Sequence, residues 1–110
     1  MIRETISKLE ARLQNAGSLS ESSRQELLGL LHTLQAEVAE LSKTDADQAQ
    51  SIEAFALTSA HEATRTQPQP ALLQHSLGGL SASVEGFETS HPTLVQIVNR
   101  ICTMLSNIGI

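Results

Sequence analysis

Glu88 and His91 are the residues best placed to do chemistry. They sit three apart in "EGFETSHPTL", residues 85–94, in a chain with only 4 histidines. On a helix this spacing puts a carboxylate and an imidazole on one face. Helical bundles that hold two iron or manganese ions use two such Glu-x-x-His motifs plus two further glutamates. This chain has a single motif, so a symmetric dimer would have to supply the second, with Glu37, Glu40, Glu53 or Glu62 as the added carboxylates. Two features speak against that use. Glu88 directly follows Phe87, a residue of the apolar seam, and so points sideways rather than inward. His91 directly precedes Pro92, which makes Ser90-His91-Pro92 a natural helix junction. The junction reading is the stronger, because short motifs match by chance.

The other reactive side chains are isolated. Cys102, the 1 cysteine, lies beside Ile101 and Leu105 on an apolar face, where a thiol behaves as a small hydrophobe. A nucleophile needs a neighbouring base, and His91 is about 16 Å back along the same helix by its rise. His32, His61 and His75 stand among polar neighbours. "SLGGLS" lies inside a periodic helix rather than after a strand, so it is no phosphate loop. These observations predict no catalytic residue, no cofactor and no metal, hence not an enzyme.

Composition narrows the class further. Hydrophobic residues make up 40% of the chain, but aromatic residues only 2%: 2 Phe, no Trp, no Tyr. The core must be aliphatic, which suits helices packed side by side, and few windows alternate as strands do. The net charge is −5, and after Lys43 the only Lys or Arg residues are Arg65 and Arg100. Such a surface repels a duplex or an anionic membrane, and it offers no aromatic platform for bases. No apolar run nears the ~20 residues of a membrane span. The start is amphipathic and charged rather than a secretory leader, and a lone cysteine excludes an internal disulfide framework. A cytoplasmic protein without nucleic-acid or membrane partners is expected.

Periodicity supplies the elements. Ile2, Ile6, Leu9 and Leu13 form one stripe of a helix over about 2–15, ended at Gly17, with Ser18 and Glu21 at capping-box spacing. Leu27, Leu31, Leu34, Val38 and Leu41 form the clearest series. Beyond them an eleven-residue step keeps Val38, Ala49 and Ala60 in register, and likewise Leu41, Ile52 and Ala63. The favoured reading is one helix over about 20–65, a rod of roughly 65–70 Å. The competing reading is a break near Thr44, whose spacing to Asp47 resembles a cap. Pro68 and Pro70 mark a loop. Leu73, Leu77, Leu80, Val84 and Phe87 then predict a helix over 70–89, in which Gly78 and Gly79 would let another element approach closely. Leu94, Val98, Ile101, Leu105 and Ile108 predict another over 91–108. Because Phe87, His91 and Leu94 keep helical phase, a kink or tight corner at Pro92 is favoured over an open loop. Gly109 and Ile110 complete a C-terminal cap, with Ile110 over Leu105.

The C-terminal "SVEGFETSHPTLVQIVNRICTMLSNIGI" also resembles a family of small bacterial proteins, domain of unknown function 4404. The pattern is F-E-x-S-H-P-x-L followed by L-S-N-x-G-I. Phe87, Glu88, Ser90, His91, Pro92, Leu94, Leu105, Ser106, Asn107, Gly109 and Ile110 carry it. The likeness is looser over residues 1–41, and about 44–66 looks longer than in compact members. It implies a bacterial cytosolic helical protein and brings no activity with it.

Together these readings predict a single all-α domain over 1–110. It is an amphipathic helical hairpin or bundle with one long coiled-coil-like helix and a Pro-kinked C-terminal helix pair. A structural or protein-interaction module is expected, with a dimeric metal-dependent enzyme using Glu88 and His91 as the alternative. A half-covered rod would expose more apolar surface than soluble monomers tolerate, so a homodimer or higher even oligomer is expected, alongside an unknown protein partner. Leu27, Leu31, Leu34, Val38, Leu41, Ile52 and Phe55 would carry assembly, and Leu34→Glu or Ile52→Glu would weaken it.

Overall fold

A computed structural model of the chain describes residues 7, 8, 10, 11 and 20–108. The stripe of Ile2, Ile6, Leu9 and Leu13, the Gly17 and Ser18 caps, and the Gly109–Ile110 cap lie outside the described residues. Residues 7, 8, 10 and 11 are helical. The rest form α1 (Glu21–Leu41), α2 (Ala46–Thr64), α3 (Pro70–Ser83) and α4 (Pro92–Ile108). There is no strand among the described residues.

α1 begins where Ser20 Oγ accepts from the Ser23 N–H at 3.2 Å, satisfying one of the helix's orphan donors. Its stripe of Leu27, Leu31, Leu34, Val38 and Leu41 is buried throughout. The helix then stops. Ser42 Oγ donates to the Ala39 carbonyl at 2.7 Å and Thr44 Oγ1 to the Leu41 carbonyl at 3.3 Å, so short polar side chains bond the carbonyls of the last turn. Asp45 leaves helical geometry (φ −149, ψ 78), and its carboxylate accepts from the Gln48 N–H at 3.1 Å, opening α2.

The favoured rod over 20–65 is therefore replaced by an elbow at Ser42–Asp45. Three residues able to bond their own backbone outweigh the helix-compatible phase of the apolar pattern. The chain folds back on itself to 38 × 25 × 22 Å, well short of the rod.

α2 and α3 form the most extensive helix pair. α2 buries Ala49, Ile52, Ala56, Ser59, Ala60 and Ala63, and α3 buries Leu73, Ser76, Leu80 and Ser83. Small residues on both sides let the backbones come close. The Phe55 ring lies on Gly79, where an added Cβ would fall inside the ring's envelope, whereas Gly78 faces open space. Only the second of the two glycines is needed for close approach. Gly78→Ala is expected to raise stability by about 0.5–1 kcal/mol, the helix-propensity gain. Gly79→Ala should gain less or lose, because the ring must move. Urea denaturation of both variants checks the contrast.

α3 ends at Ser83, six residues short of the predicted helix over 70–89. Val84 departs from helical geometry (φ −108, ψ 2). Gly86 has φ 90, and the Phe87 N–H donates to the Val84 carbonyl at 3.2 Å. That is a turn whose third residue needs a positive φ, which glycine supplies without strain. Gln48, at the start of α2, closes the C-terminal end of α3 by donating Nε2–H to the Ser83 carbonyl at 2.6 Å.

α4 begins at Pro92, where the missing N–H loses nothing. Pro92 opens a helix rather than kinking one, because the turn at Gly86 has already interrupted the chain. α4 buries Leu94, Ile97, Val98, Ile101, Met104 and Leu105 and is the main partner of α1. The Arg100 guanidinium meets the Glu26 carboxylate across that pair at 2.6 and 2.8 Å. Both are surface groups, so the pair orients more than it stabilises.

Candidate functional site

The Ser90-His91-Pro92 junction is built from backbone bonds and one ring contact. The His91 N–H donates to the Phe87 carbonyl at 2.8 Å, and its own carbonyl accepts from the Val95 N–H at 3.3 Å. The half-buried imidazole meets the Phe87 ring edge-on, with centroids 5.7 Å apart and planes at 65°. Glu88, Ser90 and Pro92 are exposed. His91 is thus a corner residue held by Phe87, and Glu88 lies outside the packing.

The proposed added carboxylates are elsewhere. Glu40 pairs with Lys43 at 3.0 Å, and Glu62 with Arg65 at 2.8 Å. Among the described residues no three His, Cys, Asp or Glu side chains converge. Among the described residues the fold does not join Glu88 and His91 to further donors.

Cys102 is half-buried, with Sγ 3.9 Å from the Leu77 carbonyl. Burial pushes its thiol up to about 11, so at neutral pH it is a protonated, weak nucleophile. His32 Nε2 lies 2.9 Å from Glu10 Oε1, which ties the N-terminal helical residues to α1. His61 Nε2 is 3.8 Å from Glu62, and His75 is exposed on α3.

The fold redistributes the residues expected to carry assembly. Leu27, Leu31, Leu34, Val38, Leu41 and Ile52 are all buried in the chain's own core. The elbow lets one chain cover both halves of the stripe, so these side chains hold the chain's own fold together. Phe55 differs, with 38% of its surface exposed, and so does Leu72 on the neighbouring helix, with 46% exposed. Leu72 was not singled out from the sequence. The signal was there: Leu73 occupies the stripe, so an adjacent leucine must point elsewhere. Around Leu72 the outer residues of α3 are Ala71, Gln74, His75, Gly78, Ser81 and Ala82, and the helix contains no Asp, Glu, Lys or Arg. A shallow groove of about 330 Å³ also lies at the elbow, lined mainly by Val38, Ala39, Ala46 and Ala49.

A family model for a domain of unknown function (DUF4404) matches residues 28–110. The chain belongs to the DUF4404 family. The DUF4404 span takes in α1 from Leu28 onward, the elbow, the α2–α3 pair, the Ser90-His91-Pro92 junction and α4. It therefore includes both Phe55 and Leu72, and the family description assigns no activity. No curated protein and no solved structure matches the chain.

Proposed function

We propose that this DUF4404 protein is a cytoplasmic interaction module that associates with a second copy of itself through the outer face of α3, and that it is not a catalyst. The observation that carries this reading is the pair of large hydrophobics, Phe55 and Leu72, left exposed on adjacent helices. Single exposed apolar residues are ordinary. Here the helix that carries Leu72, α3, also lacks formal charge, in a chain whose net charge is −5. A second copy is the occupant this surface suits. Two-fold pairing brings the same patch against itself, and an uncharged patch is the part of an acidic chain that can do so without like-charge repulsion. A basic partner would find no carboxylate on α3.

Leu72→Glu should leave the fold intact, since the side chain is half exposed, and should abolish association through the α3 face of the natively folded chain by placing a carboxylate opposite its own copy. Light scattering after size exclusion is expected to give an even oligomer for the wild type at micromolar concentration and a mass near 11.8 kDa for the variant. A wild-type monomer, or an unchanged mass for Leu72→Glu, would overturn the reading.

A further inference from the structure

We infer that α1 is an exchangeable arm: the elbow at Ser42–Asp45 can straighten, so that α1 leaves its own α4 and docks on the α4 of a second copy. The observation is one of phase. The buried residues of α1 are Leu27, Leu31, Leu34, Val38 and Leu41, and those of α2 include Ala49, Ile52, Ala56, Ala60 and Ala63. Counted as one uninterrupted helix at 3.6 residues per turn, all ten fall within an arc of about 100°. An elbow imposes no such relation, because two helices joined by a turn can each rotate to bury any face. A straight helix does require it, and the sequence satisfies it.

The elbow itself is compatible with helix. It contains no Gly or Pro, and the only positive φ in the described backbone is at Gly86, outside the elbow. Ser42 is still helical (φ −60, ψ −20), and Asp45 has left helical geometry (φ −149, ψ 78). On the straight helix Asp45 would fall at the centre of the apolar arc, between Leu41 and Ala49. Its charge is disfavoured there, whereas in the elbow its carboxylate caps Gln48. Asp45 thus biases the chain toward the folded-back form.

Reciprocal straightening restores the α1–α4 contacts, and α1 meets the α2 of the second copy in place of its own. The stripe from Leu27 to Leu41 finds on the second copy the same α4 residues, Leu94, Val98, Ile101 and Leu105, that it covers in its own chain. The Glu26–Arg100 pair then forms between copies. Exchange of an identical element gives a closed two-fold dimer. The Gln48–Ser83 bond stays within each α2–α3 unit, so that unit moves as a body.

The test uses the Leu72→Glu background, so that failure of the α3-face reading leaves it interpretable. Adding Asp45→Leu puts an apolar residue on the arc and removes the cap. After unfolding and refolding at high concentration it should give a helical dimer of twice the 11.8 kDa chain, dissociating slowly on dilution. Adding Ala46→Pro as well should return a monomer. Proline is accepted at the first position of α2 in the elbow and breaks a continuous helix, while the new leucine stays in place. A second comparison leaves Asp45 untouched: Leu72→Glu refolded at high concentration should form a dimer fraction that Ala46→Pro eliminates. A monomeric Asp45→Leu chain, a dimer that survives Ala46→Pro, or no dimer in the second comparison would each overturn the inference.

Discussion

Leu34→Glu and Ile52→Glu are expected to unfold the chain rather than dissociate an oligomer. Both side chains have no exposed surface, and both lie in the single core shared by the four helices. Replacing either loses about 2–3 kcal/mol of apolar burial. It also asks a carboxylate to leave water with no cation beside it, which costs several kcal/mol more. A domain of this size is stable by only about 5–15 kcal/mol, so the two terms together approach the whole. Far-UV circular dichroism should show loss of most helix in dilute buffer. If either variant kept wild-type helicity and merely fell in mass, these positions would belong to an interface between chains, and the folded-back elbow would be wrong for the protein in solution.

The same residues show what the sequence could and could not reveal. Apolar steps of four and three placed the inner faces of α1 and α4, because helical period and burial are tied by geometry. They could not place the elbow. Val38 to Ala49 and Leu41 to Ile52 keep phase as though no break existed, and Ser42, Lys43, Thr44 and Asp45 include neither helix breaker. The signal that a break was present lay in capping chemistry, Asp45 with Gln48, and it competed with an unbroken pattern. The end of α3 was hidden for a similar reason. Val84 and Phe87 continue the seam in sequence, yet Gly86 takes a positive φ between them, and a lone glycine in an apolar series reads as a weak helix residue until its backbone is seen. The candidate site fared differently. Phe55 is visible as one of 2 aromatic residues, but its exposure depends on Gly79 and the α2–α3 crossing, a long-range contact with no local signature.

The weight of the Phe87–Leu94 segment rests on Leu94 rather than on the residues that look reactive. Leu94 has no exposed surface, and it is the first buried side chain after the junction. There it seats the start of α4 in the core beside α1. Leu94→Ala removes three heavy atoms from a fully buried site. The expected loss is about 2–5 kcal/mol, as for buried leucines in general. His91→Ala forfeits an edge-on ring contact and part of a half-buried side chain, about 1 kcal/mol. Glu88→Ala touches an exposed carboxylate and should stay within about 0.5 kcal/mol. Urea denaturation of the three variants ranks them directly: Leu94 well ahead of His91, and His91 ahead of Glu88. A Glu88→Ala or His91→Ala loss matching that of Leu94→Ala would mean that the carboxylate and imidazole are held by something beyond the corner. A ligand or metal shared between copies would then become the better account of this motif.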